Sequence, residues 1–380
     1  MRKILLWLKR DPVLFASAVA VIISAFFNPP SLKYIKYPDY RVLGLLLALM
    51  LVVAGLKNAG VFALMSERLL KLVHNTRELA ALLIGACFFS SMLITNDVAL
   101  ITFVPLTIML LENAQKKKLM IPIIVLQTIS ANLGSMLLPM GSPQNLFIYS
   151  LSDMTIKQFL YISAVPVIVS FVLLSMSVIF IRNEPLSKLR NETGELGENE
   201  NIKHRYINCS SKRIIWTVLF IVCLLSVLRL LPYEIVLATV LVGALLIDRR
   251  IIMRVDYGLL VTFIFLFILI GNIKSIPDVS TALSGAVRGR EMLTGIALSQ
   301  FISNVPAVML LSGFTTNYSE LLVGVNIGGL GTLIASMASV ISFKLYASTS
   351  DSKPARYIGA FTAVSILFLA VLCSVMVIVH

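Results

Sequence analysis

Charge is scarce in this sequence. Of its 380 residues only 13% are Asp, Glu, Lys or Arg, against ~25% in an ordinary soluble chain, while 58% are hydrophobic. The longest polar stretch runs from Arg182 to Arg213, which leaves no room for a large soluble domain. The apolar stretches are continuous rather than alternating, which argues against a membrane β-barrel. Histidine is nearly absent. His74, His204 and His380 lie outside the apolar stretches, so most zinc and histidine-base chemistry is removed from a membrane interior. The four cysteines, Cys87, Cys209, Cys223 and Cys373, form no CxxC pair, and neither a disulfide framework nor a metal centre is expected. There is no HExxH, no second Asp within an apolar stretch to pair with Asp97 and no Ser–His arrangement in the spans. The chain is therefore not read as an intramembrane enzyme, and no cofactor is expected beyond a coupling ion.

What remains is helical and apolar. The composition describes an all-α, polytopic membrane protein with the lipid bilayer as its solvent. The net charge of +13 reflects basic residues at membrane edges, not nucleic-acid binding. The N-terminal MRKILLWLKR and the run after it resemble a signal peptide. With no small-x-small cleavage site after Phe27, the run reads as a retained first helix, with Asp11 as N-cap and Pro12 at N1. Crossings are expected at 12–27, 39–56, 119–138, 158–181, 213–231, 233–247, 257–272, 321–342 and 356–379. Two further segments, 78–111 and 291–315, read as hairpins with polar tips. Their arms of about 11–17 residues are short against the ~20 needed to span the hydrocarbon core, which favours re-entrant elements.

Roughly three quarters of the basic residues fall in loops on one side if the N-terminus is cytoplasmic, the positive-inside pattern. That places a multi-pass protein in the cell membrane with its C-terminus outside. Two inverted repeats follow. The first is 1–181, with hairpin 78–111 and a broken helix at 119–150. A cytoplasmic linker at 182–212 and a connecting transmembrane helix at 213–231 come next. The second repeat is 232–380, with hairpin 291–315 and a broken helix at 321–342. The linker mixes basic residues with Glu184, Glu192, Glu195, Glu198 and Glu200, as a solvated segment does.

The chemistry lies in two matched pairs of segments. The hairpin tips read TNDVALITFVPL (95–106) and SNVPAVMLLSG (303–313). The next crossings are interrupted by NLGSMLLPMGSPQN (132–145) and NIGGLGTLIASMAS (326–339). Aligned, Asn132 matches Asn326, Gly134 matches Gly328 and Ser142 matches Ser336. Gly, Pro and Asn within a span unwind the helix. Unwinding frees carbonyls for a cation and creates N-termini for an anion. Asn, Ser and Thr add ligands without fixed charge. Gly44, Gly55, Gly243 and Ser226 read instead as helix-packing residues.

Asp97 has two roles open to it. It is a good N-cap for the second hairpin arm, and a carboxylate at that depth is a coupling residue if a proton or Na⁺ neutralises it. Val305 stands at the matching place in the second tip.

This order of motifs resembles the ion transporter superfamily, which contains arsenite permeases, NhaD-type antiporters, citrate transporters and divalent anion/sodium symporters. TNDVALITFVPL is most like the arsenite permease and NhaD-type branch. GSPQN (141–145) is similar to the turn of the dicarboxylate and citrate branch, and GVNIGGLGTLIASMAS (324–339) resembles the arsenite permease segment. The resemblance implies two inverted repeats, each with a re-entrant hairpin and a broken helix, and commonly a homodimer. It also implies tips that bind Na⁺ and substrate. The Ser-Asn-Thr of the dicarboxylate symporters becomes Thr95-Asn96-Asp97 and Ser303-Asn304-Val305 here, departing at the third position in both halves.

The sequence thus points to a secondary transporter of a small anion, a di- or tricarboxylate or an inorganic oxyanion, coupled to Na⁺ or H⁺. The alternative is a sodium/proton antiporter of the NhaD type. The expected site comprises Thr95, Asn96, Asp97, Asn132, Gly134, Ser142, Pro143, Asn145, Ser303, Asn304, Asn326, Gly328 and Ser336, with Na⁺ at Asn96, Asp97 and Asn304.

Overall fold

The computed structural model describes residues 12–61, 73–185 and 210–379. Asp11, His204, Cys209, His380 and the middle of the expected linker lie outside them. Among the described residues every regular element is a helix, apart from one isolated bridge between Asn75 and Pro185. A helix satisfies its own backbone, which is what a lipid solvent requires.

The first helix, α1 (Pro12–Phe27), and α2 (Tyr40–Asn58) occupy the expected first two crossings. Asp39 caps α2, its Oδ1 accepting from the N–H groups of Arg41 (3.0 Å) and Val42 (3.1 Å). The first hairpin is α3 (Thr76–Leu93) and α4 (Asn96–Asn113). The next crossing is broken into α5 (Met120–Gly134) and α6 (Pro143–Leu151), and α7 (Ile156–Ile179) follows, opened by a Thr155–Gln158 capping box. Then come α8 (Ser210–Val227), α9 (Tyr233–Ile247) and α10 (Tyr257–Lys274). A short helix that the sequence reading did not anticipate, α11 (Pro277–Val287), precedes the second hairpin, α12 (Glu291–Ile302) and α13 (Asn304–Ser312). The second broken crossing is α14 (Tyr318–Ile327) with α15 (Met337–Ala347), and α16 (Pro354–Val379) ends the chain.

Among the described residues six helices are long and apolar enough to cross a membrane: α2, α3, α4, α7, α10 and α16. This corrects one expectation. The arms of the first hairpin are 18 residues each, about 27 Å at 1.5 Å per residue, not the 11–17 read from the sequence. The second hairpin keeps short arms, of 12 and 9 residues. Pro105 lies inside α4 without ending it, so the arm runs past the point where a proline would suggest a stop.

The apolar interior has two centres. One gathers α2, α8, α9 and α10 with α6 and α13. Here the small residues do pack helices: a methyl on Gly55 would stand 2.2 Å from the Trp216 ring. The other gathers α3, α4, α5, α7 and α16 with α15. The second piece of each broken crossing leaves its own half. α6 packs on α13 and α14, and α15 packs on α4 and α5. The breaks are therefore where the halves interlock.

Candidate functional site

The two breaks have the same local shape. Ser135 caps α5 with φ −62°, ψ −16°, and Gly328 caps α14 with the same angles. A 3₁₀ turn follows in each, Pro139–Gly141 and Leu333–Ala335. Extended N-caps, Ser142 and Ser336, then restart the helices α6 and α15. Gly134 and Gly328 seat each crossing against the first arm of its hairpin. A methyl on Gly134 would lie 2.2 Å from the Phe88 carbonyl oxygen, and one on Gly328 would lie 2.8 Å from Ile296 Cα. Their observed contribution is close packing.

Carboxamides hold the interlock. Asn96 Nδ2 donates to Asn132 Oδ1 at 3.0 Å, and the Ser336 hydroxyl donates to the same oxygen at 3.0 Å. Asn132 Nδ2 donates to Ser339 Oγ at 3.3 Å. One side chain thus joins the first tip, the first break and the restart of the second crossing. Asn326 does the reverse. Its Nδ2 donates to Asn145 Oδ1 at 2.6 Å, and its Oδ1 accepts from Gln144 Nε2 at 3.3 Å.

The carbonyls freed by unwinding are largely taken. Asn145 Nδ2 donates to the oxygens of Ser135 (2.9 Å) and Leu138 (3.3 Å). In the second break this is done by Gln300, which the sequence reading missed: its Nε2 donates to Gly328 (2.8 Å) and Leu330 (2.9 Å). Its own Oε1 accepts from Thr332 N–H at 2.9 Å. A lone Gln in a helical arm carried no signal of this.

The tips differ. Asn96 is 4% exposed and engaged at both ends, since its Oδ1 accepts from the Asp97 N–H at 3.0 Å. Asn304 is equally buried, yet its carboxamide makes no hydrogen bond among the described residues. Ser303 before it is fully buried, with φ +74°, and its hydroxyl reaches the Ala335 carbonyl only at 3.5 Å. A non-glycine residue in that region is strained, and strain of this kind concentrates at binding elements.

Below the first tip lies a cavity of about 220 Å³. Its polar lining is Thr95, Asp97, Ser142, Lys57, Arg254 and Asp256, set against an apolar wall from α2. Pro143, at the first position of α6, lines it too. Asp97 Oδ1 and Ser142 Oγ are buried and make no hydrogen bond among the described residues. Neither residue spends its side chain on a helix cap. The N-termini of α4 and α6 therefore meet at a space that holds two free polar groups. Thr95, Asp97, Ser142 and Pro143 come together here. Asn132, Asn145, Asn326 and Ser336 form the interlock beside it, while Ser303 and Asn304 belong to neither group. Lys57 and Arg254 were missed as site residues because they read as loop charges that set topology, and Asp256 carried no signal of its own.

The comparisons with known proteins agree with this architecture. The citrate transporter family profile (CitMHS) matches residues 3–338. An uncharacterized transporter of Methanocaldococcus jannaschii is 33% identical over 305 residues, covering 80% of each chain. The inner membrane protein YbiR of Escherichia coli is 29% identical over 314 residues, covering 81% of this chain and 80% of that one. A silicon efflux transporter of Oryza sativa subsp. japonica is 36% identical over 123 residues, 32% of this chain and 25% of the other. With that profile spanning nearly its whole length, the chain belongs to the citrate transporter family, a multi-pass membrane protein of the transporter type.

Proposed function

We propose that the protein is a secondary active transporter that moves a small anion, a di- or tricarboxylate or an inorganic oxyanion, coupled to Na⁺ or H⁺. The observation that carries this is the cavity where Asp97 Oδ1 and Ser142 Oγ lie buried and unpaired at two converging helix N-termini. Helix N-termini favour an anion. A carboxylate at membrane depth costs about 2.5–3.5 kcal/mol on insertion scales unless a cation offsets it. The two preferences together call for both ions in one place. Asp97 is the coupling residue. Thr95 and Ser142 are the ligands at this cavity, and Ser303 and Asn304, which lie outside it, are the ligands of the second tip when access alternates. Asn96, Asn132, Asn145, Asn326, Ser336 and Pro143 hold the breaks that create the site, with Gly134 and Gly328 seating them. The family name favours carboxylates, and the silicon transporter's name favours an inorganic oxyanion.

The two halves are inverted by the single crossing α8. The cavity opens to the Lys57 and Arg254 end, which the positive-inside pattern assigns to the cytoplasm. Alternating access then closes this opening and exposes the second tip. A second reading, sodium/proton exchange, is favoured by one observation: Asp97 is matched by Val305, so one tip alone carries a carboxylate. Purified protein in liposomes, given citrate, succinate, phosphate and silicate under imposed Na⁺ and pH gradients, separates these readings. Cation-dependent anion uptake is the expected result. Cation exchange with no anion requirement would favour the second reading, and neither activity would overturn both.

A further inference from the structure

The mouth of the cavity carries charges that the site described above does not use. Lys57 lies in the last turn of α2, and Arg254 and Asp256 lie on the connection into α10. All three are exposed, while Asp97 sits deeper. Asp256 caps α10, its Oδ1 accepting from the N–H groups of Gly258 (2.9 Å) and Leu259 (3.3 Å). Arg254 is held by a neutral partner. Its Nη1 donates to Asn58 Oδ1 at 2.5 Å, and Asn58 Nδ2 in turn donates to Asp248 Oδ2 at 2.9 Å. Among the described residues no carboxylate forms an ion pair with Lys57 or Arg254. Two cations therefore stand over the cavity without a counter-charge in contact, and one of them is fixed in place.

Basic residues at this end of a membrane helix serve topology by default. Here a second observation points to a ligand. The Ser142 hydroxyl, on a residue 1% exposed, is buried without a partner on the same cavity, at the N-terminus of α6. Given the transport reading, on which this inference rests, we propose that Lys57 and Arg254 are the specificity-determining residues for the anion. They receive it at the mouth and pass it to the α4 and α6 N-termini and Ser142. Arg254 presents a planar guanidinium suited to a carboxylate or a comparable oxyanion, and Lys57 adds a mobile point charge. The space of about 220 Å³ is smaller than the ~300–1,000 Å³ of sites for drug-sized ligands, so the anion is compact. Asp256 opposes it and limits how much negative charge the mouth admits. Among the described residues the charged side chains lining the cavity are Lys57 from α2, Asp97 from α4, and Arg254 and Asp256 from the connection to α10; α6 and α15 contribute none.

The test is KM for citrate, succinate, phosphate and silicate in liposomes. For each anion that the wild type transports, Arg254→Gln and Lys57→Gln each raise KM about tenfold, the scale of one partly screened charge, while the maximal rate falls less. Arg254→Lys restores most of the affinity. Asp256→Asn keeps the cap and lowers KM. Cysteine accessibility near Lys117 checks that orientation is unchanged. Unaltered KM in both Gln variants overturns the proposal and leaves the transport reading standing. Absence of wild-type uptake of every anion overturns the anion-transport reading and this inference with it.

Discussion

The two hairpins share one plan and spend it differently. The first has 18-residue arms, an engaged Asn96 and an Asp97 above a charged, open cavity. The second has arms of 12 and 9 residues, a strained Ser303, an unengaged Asn304 and Val305 in place of the carboxylate. At its base the Thr315 hydroxyl donates to the buried Glu291 carboxylate at 2.8 Å. The first tip is thus electrostatically loaded and locally anchored, and the second is neutral, with its free ligand held by backbone. A repeat that keeps its geometry while dividing its chemistry needs only one coupling carboxylate.

The largest effect expected is on Asn132. Asn132→Ala removes the partner of Asn96, Ser336 and Ser339 at once. Each buried polar group left unpaired costs about 1–3 kcal/mol, so thermal unfolding of the detergent-purified protein should shift strongly downward. Asn304→Ala should leave that transition nearly unchanged and abolish transport, because its carboxamide makes no hydrogen bond among the described residues. Equal stability losses in the two variants would erase the contrast between the tips.

Asp97→Asn comes next. It preserves size and should fold normally but lose the Na⁺ or pH dependence of transport. Transport with unchanged ion dependence would remove Asp97 from coupling and move that role to uncharged ligands. Its mirror, Val305→Asp, places a carboxylate in the neutral tip and should destabilise the protein by about 2.5–3.5 kcal/mol.

Gly134→Ala and Gly328→Ala sharpen the comparison on packing alone. The first meets the Phe88 carbonyl oxygen at 2.2 Å and the second meets Ile296 Cα at 2.8 Å. Both should lower stability by about 1–3 kcal/mol, the first more, as measured by thermal unfolding.

The smallest effect lies outside the membrane. Lys117 binds Asp351, and the Lys117 hydrogen bond and charge hold the Asp351 carboxyl below its ordinary range. The Lys116 hydrogen bond does the same, first among its causes, for Glu184. A depressed carboxylate adds stability above the unfolded pKa and loses it as pH falls through the folded value. Acid should therefore weaken these surface ties slightly, and Asp351→Asn should flatten that part of the pH–stability curve. The Lys117–Asp351 pair is solvent-exposed and the Lys116–Glu184 pair is half-buried at the surface, so the change is minor.

Much of the helix layout was legible because apolar runs with caps leave little freedom in lipid. Apolar run length placed the starts of α2, α7 and α10 within two residues, and Asp39, Thr155 with Gln158, and Asp256 are the caps found there. The break residues were legible too, since Gly, Pro and Asn inside a span have few other uses. Arm length in the first hairpin was not. The apolar run read as 78–111, whereas α3 begins at Thr76 and α4 continues through Pro105 to Asn113, since proline is tolerated where neighbouring helices support the freed backbone. Nor was Gln300 visible, because its partners are carbonyls that exist as acceptors only once the second crossing has unwound.

By itself, then, the sequence determined the class, most of the helices and where the two crossings break. Hydrophobic length and local capping act over a few turns and need no partner. Tertiary structure decided which carboxamides are spent on the interlock, which one stays free, and that Lys57, Arg254 and Asp256 share a cavity with Asp97. Those outcomes depend on contacts between segments about two hundred residues apart, and such contacts follow from how α6 and α15 cross into the opposite half.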